Sequence, residues 1–171
     1  MPHDARVLEE LFRDCFLDEF QTCLEGGAPE PLYSPSSTPH RDPHRDPHRV
    51  LYREDFFASA LHEVAHWCLA GARRRKLEDY GYWYAADGRS LADQSEFEKV
   101  EARPQAIEWI LSEACAFEFH LSADNLEGGL GATAIFERAV RRQKERALAE
   151  GLPPRAECFR MALVRRGEWG A

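Results

Sequence analysis

Between Asp55 and Gly71 the chain reads as one helix with two imidazoles on a single face, and no other stretch restricts the possible folds so tightly. Phe56, Phe57, Ala60, Leu61, Val64 and Ala65 recur at helical spacing, Asp55 stands where an N-cap belongs, and Gly71 offers a stop. Within it lies Leu61-His62-Glu63-Val64-Ala65-His66-Trp67. Side chains four residues apart stack on one side of a helix, so His62 and His66 aim at one point, as in an H-E-x-x-H metal segment. Either histidine alone would read as an ordinary helix residue, half-buried or in solvent. The pair, with Glu63 between them, reads as a metal site.

Two imidazoles do not complete a tetrahedral zinc or open iron site, so at least one further protein ligand is expected. The candidates lie in Phe97 to Trp109, which carries the carboxylates Glu98, Glu101 and Glu108. Any one of them alone would read as a solvated charge.

With 171 residues and 44% hydrophobic content the chain is expected to form one domain spanning 1–171 with a real core. A formal net charge of −8 argues against broad binding to nucleic acid or anionic membranes and suits a cationic substrate group. Cys15, Cys23, Cys68, Cys115 and Cys158 form no C-x-x-C pair, and an odd number does not make a disulfide framework. No apolar run approaches the roughly 20 residues of a membrane span. Met1 to Val7 includes Asp4 and has no basic start leading into an apolar run, so the expected location is the cytoplasm.

Asp4 to Leu24 carries Val7, Leu8, Leu11, Phe12, Phe16, Leu17 and Phe20 at helical spacing, which predicts an amphipathic helix ended by Gly26 and Gly27. From about 29 to 49 follows a Pro/His/Arg/Asp-rich segment containing Pro39-His40-Arg41-Asp42 and its repeats, which predicts a flexible loop. Proline at every fourth position blocks the helix that would align His40, His44 and His48 on an ion. Val50 to Tyr52 reads as a short strand. Arg73 to Lys76 reads either as a helix end or as a contact for an acidic partner. Asp79 to Tyr84 reads as a strand ending at Asp87-Gly88; alternation puts Tyr80, Tyr82 and Tyr84 on one face and Trp83 on the other, so one set is expected to line a substrate pocket. Pro104 suits the first position of a new helix through Ile107, Ile110, Leu111, Ala114 and Phe117, with Glu98 and Glu101 just before it. Asp124 to Gly129 reads as a turn, Thr133 to Glu150 as a helix burying Ile135, Phe136, Val140 and Leu148, and Ala156 to Val164 as a last amphipathic segment.

Leu61 to Gly71, Asp79 to Arg89, Phe97 to Trp109 and Asp124-Asn125-Leu126-Glu127-Gly128, in that order and spacing, resemble the bacterial elongation factor P hydroxylase family over about Val7 to Leu163. The resemblance implies a non-haem metal hydroxylase, an oxidoreductase acting on a lysine of elongation factor P that already carries a β-lysyl group. It implies an α+β fold, helices around a small sheet with the H-E-x-x-H helix central, closer to a metal-dependent endoribonuclease or zincin than to a double-stranded β-helix oxygenase. Its motif of two histidines and one carboxylate maps onto His62 and His66 and then onto Glu98, with Glu101 as the alternative. The Pro-His-Arg-Asp repeat and a short tail after Arg166 depart from the family pattern.

Such a set leaves positions open on Fe(II) for molecular oxygen as co-substrate. No 2-oxoglutarate-binding pattern is evident. Tyr80, Tyr82, Trp83 or Tyr84 would contact an ammonium-bearing chain by cation–π packing, and Glu63 would orient a ligand or pair with the substrate amine. The competing reading is a small zinc metallopeptidase with Glu63 as general base; a nuclease is disfavoured by the acidic charge.

Overall fold

The first helix stops four residues earlier than its apolar stripe suggests. In a computed structural model that describes residues 3–38, 42, 44–79, 91–122 and 134–169, α1 runs Ala5–Phe20. Asp4 caps it by accepting the Arg6 N–H, and Gln21 ends it in the left-handed conformation, φ 52°. The continuation, Thr22–Ala28, is not helix but strand β1. Gly26 does not terminate the helix. It lies in the strand where a Cβ would sit 2.6 Å from the Glu54 carbonyl and 2.7 Å from the Tyr52 ring, so only glycine fits.

Within the 29–49 segment, read as a loop, Leu32–Ser34 forms β2 and His48–Arg53 forms β3. The sheet order is β1-β3-β2, with β1 parallel to β3 (Leu24 opposite Val50) and β2 antiparallel to it (Tyr33 opposite Val50). Glu9 ties α1 to this sheet: its Oε1 accepts from the Gly26 N–H at 2.9 Å and from the Tyr52 hydroxyl at 2.8 Å.

Strand β3 feeds α2, Phe57–Leu69, which carries His62, Glu63 and His66. Phe56 rather than Asp55 occupies its N-cap, without a side-chain cap. At its other end Arg155 donates to the Trp67 carbonyl (2.7 Å) and the Ala70 carbonyl (2.5 Å), and Arg75 donates to the Ala70 carbonyl at 2.6 Å. Those cations satisfy carbonyls that a helix end leaves open and complement its dipole. A short 3₁₀ turn, Arg74–Lys76, follows.

Three more helices complete the described residues: α3 (Leu91–Ala114), α4 (Ala134–Glu150) and α5 (Pro154–Arg166). The fold is α+β, with five helices packed around the small sheet. Pro104 does not open a new helix; it lies inside α3. An interior proline costs about 3 kcal/mol. That cost is offset because Phe97, Ala102, Ala106, Ile107, Ile110 and Leu111 are all buried along the helix, and each large side chain contributes roughly 1.5–3 kcal/mol.

The main core joins Leu8, Phe12 and Phe16 of α1 to Leu61, Val64 and Trp67 of α2, Leu111 of α3 and Phe159 of α5. Trp67 is its hub, with Phe12, Phe16 and Phe20 ring centroids at 5.0, 4.8 and 5.5 Å. A second cluster, Ala102, Ala106, Phe136 and Val140, seats α4 on α3. Ile135 and Leu148, expected inside, are 67% and 58% exposed. Tyr80 to Trp83, Tyr84, Asp87-Gly88 and the Asp124 to Gly129 segment lie outside the described residues.

Candidate metal centre

Helix α3 is polar along one buried stripe: Glu101, Gln105, Glu108 and Ser112 recur at three- and four-residue spacing, all nearly inaccessible to water. Helix α2 packs against α3 and presents His62 and His66. Buried carboxylates and imidazoles are tolerated only in mutual contact, and here they meet. His66 Nε2 lies 3.0 Å from Glu101 Oε1, His62 Nε2 lies 3.6 Å from Glu101 Oε2, and the two Nε2 atoms are 3.0 Å apart.

These separations can be tested against an ion. Donors about 2.1 Å from a metal stand about 3.0 Å apart at right angles and about 3.4 Å apart in a tetrahedron. Two of the separations, from His66 Nε2 to Glu101 Oε1 and to His62 Nε2, are 3.0 Å, and the 3.6 Å from His62 Nε2 runs to the other carboxylate oxygen; His62, His66 and Glu101 are the group of described residues whose donor atoms all come within 4.8 Å of one another. The residues therefore fit a divalent cation. The carboxylate that reaches the two imidazoles is Glu101. Glu98, the first choice from sequence, sits one turn earlier on α3 and is not in that group. The cause is the uninterrupted helix: with Pro104 inside α3, Glu101 shares a face with Glu108 seven residues on.

Glu108 supplies what the sequence reading did not assign. His62 donates its Nδ1–H to Glu108 Oε2 at 2.7 Å, and a ring whose Nδ1 carries the proton turns a lone pair on Nε2 toward Glu101 and His66. Gln105 steadies the other side. Its Nε2 donates to the Ser122 carbonyl at 2.5 Å and weakly to Glu101 Oε2 at 3.4 Å, and its Oε1 accepts the Ser122 N–H at 3.0 Å.

The charges reinforce one another. Burial alone would lower the pKa of His62, but Glu108, by charge and hydrogen bond, and then Glu101 and Glu63 outweigh it and raise it to about 10. Burial alone would raise Glu101, yet the His66 charge and hydrogen bond, with His62 and Gln105, hold it at about 2. Glu63 is pushed up, chiefly by burial. Without a metal the centre is thus an ion cluster, and a cation binding there displaces a proton from imidazole nitrogen.

Comparison with known proteins places the geometry in context. The model of the elongation factor P hydroxylase family matches residues 11–167. A curated relative from Haemophilus influenzae, named elongation factor P lysine hydroxylase, is 47% identical over 164 residues, which is 96% of this chain and 89% of the relative. The chain belongs to the elongation factor P hydroxylase family. His62, Glu63, His66, Glu98, Glu101 and Glu108 all fall inside the matched span. No helix among the described residues is long and apolar enough to cross a membrane.

Proposed function

We propose that the chain is a non-haem, iron-dependent hydroxylase that acts, in the cytoplasm, on the β-lysylated lysine of elongation factor P. Family membership supports the protein substrate, and the convergence of His62, His66 and Glu101 is the single observation that carries the chemistry. Two imidazoles and one carboxylate on one side of an ion leave its other positions open, the arrangement used with Fe(II) and dioxygen. Bound there, iron supplies the one-electron chemistry that dioxygen needs to attack an unactivated carbon. One oxygen atom would enter a C–H bond of the lysine side chain and the other would leave as water, with two electrons from an external reductant and two protons.

The chain's own residues do the positioning. His62 is fixed by Glu108 and Glu101 by Gln105, so the donor set is preorganised on two packed helices rather than on loops. Val64 and Trp67, both buried, anchor that helix in the core.

The test is aerobic incubation of β-lysylated elongation factor P with the protein, Fe(II) and a reductant under isotopically heavy dioxygen, read by intact mass. A gain of one heavy oxygen is expected. No gain, with zinc-supported peptide cleavage in its place, would overturn the proposal in favour of peptidase chemistry.

A further inference from the structure

Helices α1 and α5 come from opposite ends of the chain and pack against each other, with the Phe159 ring 6.0 Å from Phe12 and 6.2 Å from Phe16. Each helix carries a cysteine immediately before a phenylalanine of that contact, Cys15 before Phe16 and Cys158 before Phe159. The two thiols face each other across the seam, within hydrogen-bonding reach. Their surroundings differ. Cys158 is exposed to solvent, whereas Cys15 is half-buried and packs against the main core.

The other three cysteines are placed differently. Cys23 donates its thiol hydrogen to Glu25 Oε1 at 3.1 Å, and Cys115 donates to the Leu111 carbonyl at 3.3 Å. Cys68 is closed off from solvent on the buried face of α2. An exposed thiol beside a more buried one is the arrangement of redox-sensing cysteines in reducing compartments, where the disulfides that form are transient. An odd cysteine count excludes a fully paired framework but leaves room for one such pair.

We propose that Cys15 and Cys158 are a peroxide-reactive pair that closes reversibly into a disulfide joining α1 to α5, with a hydroperoxide as the oxidant. In the first step the Cys158 sulfur attacks a peroxide oxygen. The O–O bond breaks, a sulfenic acid forms on Cys158, and the departing hydroxide leaves as water with the thiol proton. In the second step the Cys15 sulfur attacks the sulfenic sulfur. The S–S bond forms, the S–O bond breaks, and the oxygen leaves as a second water with the Cys15 proton. Two electrons pass from the two sulfurs to the peroxide. Burial and the facing thiol push the Cys15 pKa up, which suits the partner that reacts second. The cross-link clamps together two helices that both pack on α2, the helix of His62 and His66.

The experiment uses the reduced full-length protein, with a chelator present to suppress metal-driven oxidation. It is treated with a small excess of hydrogen peroxide, alkylated, and mapped by peptide mass without reduction. Two of the five thiols should escape alkylation, in one linked pair of peptides that contain Cys15 and Cys158. The Tm should rise by about 5 °C or more, the scale expected for a long closed loop, and fall back when dithiothreitol is added. Cys15→Ser should leave a sulfenic acid on Cys158 that dimedone traps, with no rise in Tm. Cys158→Ser, a change at an exposed position, should keep Cys15 reduced at the same peroxide dose. A wild type that keeps all five thiols, a disulfide through Cys23, Cys68 or Cys115, or one that joins two chains would overturn the pairing.

Discussion

Glu108 accepts the Nδ1 proton of His62 across 2.7 Å, from a position two helical turns beyond the carboxylate that approaches the same ring's other nitrogen. One imidazole is thus held by two carboxylates of a single helix, one at each nitrogen. That relationship sets both the tautomer and the direction of the Nε2 lone pair, and it makes a pair of histidines into a directional donor set.

Removing the outer carboxylate should therefore weaken the metal without touching a donor. Glu108→Ala is expected to lower metal affinity by about 10- to 100-fold, measured by competition with a chromogenic chelator, and Glu108→Gln by less because an amide oxygen still accepts. Unchanged affinity in Glu108→Ala would mean that the ring needs no such anchor.

The third donor has a rank order. Glu101→Ala should reduce metal affinity far more than Glu98→Ala, because Glu101 lies within 3.0 and 3.6 Å of the two Nε2 atoms. Isothermal titration of both variants decides it, and the reverse order would move the role one turn up α3.

The centre's response to pH has a definite sign. In the metal-free protein His62 is raised from 6.5 to about 10, so its contribution to stability is complete below about pH 6.5 and is lost as pH rises through 10. Glu101 is lowered from 4.5 to about 2, so its contribution is present above pH 4.5 and is lost as pH falls through 2. Metal binding at neutral pH must then expel a proton, and apparent affinity should rise by about tenfold per pH unit between 6 and 8. Calorimetry in buffers of differing ionisation enthalpy should report close to one proton released; none would contradict the protonated imidazole.

Gly26→Ala should destabilise the fold by about 1–3 kcal/mol or more, seen as a lowered Tm. The new methyl would meet the Glu54 carbonyl, which accepts the Gly27 N–H, and the Tyr52 ring, whose hydroxyl donates to Glu9. A variant as stable as the parent would show that the strand shifts freely.

Much of this was legible in the sequence where periodicity and chemistry agreed. Helix α2 combines an apolar stripe with the histidine pair, and the structure builds it across Phe57–Leu69. The strand at Val50 to Tyr52 and the last helix were similarly plain. What failed did so for local reasons. The apolar stripe of α1 runs on through Leu24, and the two glycines resemble a helix stop, yet Gly26 is needed for a close strand approach that only the folded chain defines.

Pro104 suggested a helix start by local rule, and burial on both sides overrode it. That misreading put Glu98 ahead of Glu101 among the candidate carboxylates, whereas in a continuous α3 Glu101 and Glu108 share a face. The spacing of Glu101, Gln105, Glu108 and Ser112 was available as a buried polar stripe, but nothing in sequence marks it as buried. In α4 the inward residues are Phe136 and Val140, while their neighbour Ile135 is exposed, because α3 selects a narrow face of a helix that is otherwise charged.

The most direct test of the whole account is the intact mass of β-lysylated elongation factor P after aerobic incubation with Fe(II), a reductant and either the wild-type protein or Glu101→Ala. The account predicts a gain of one oxygen atom with the wild type and none with the variant, which should still fold. An equal gain with both would contradict it, because a carboxylate that can be deleted without consequence does not hold the catalytic metal.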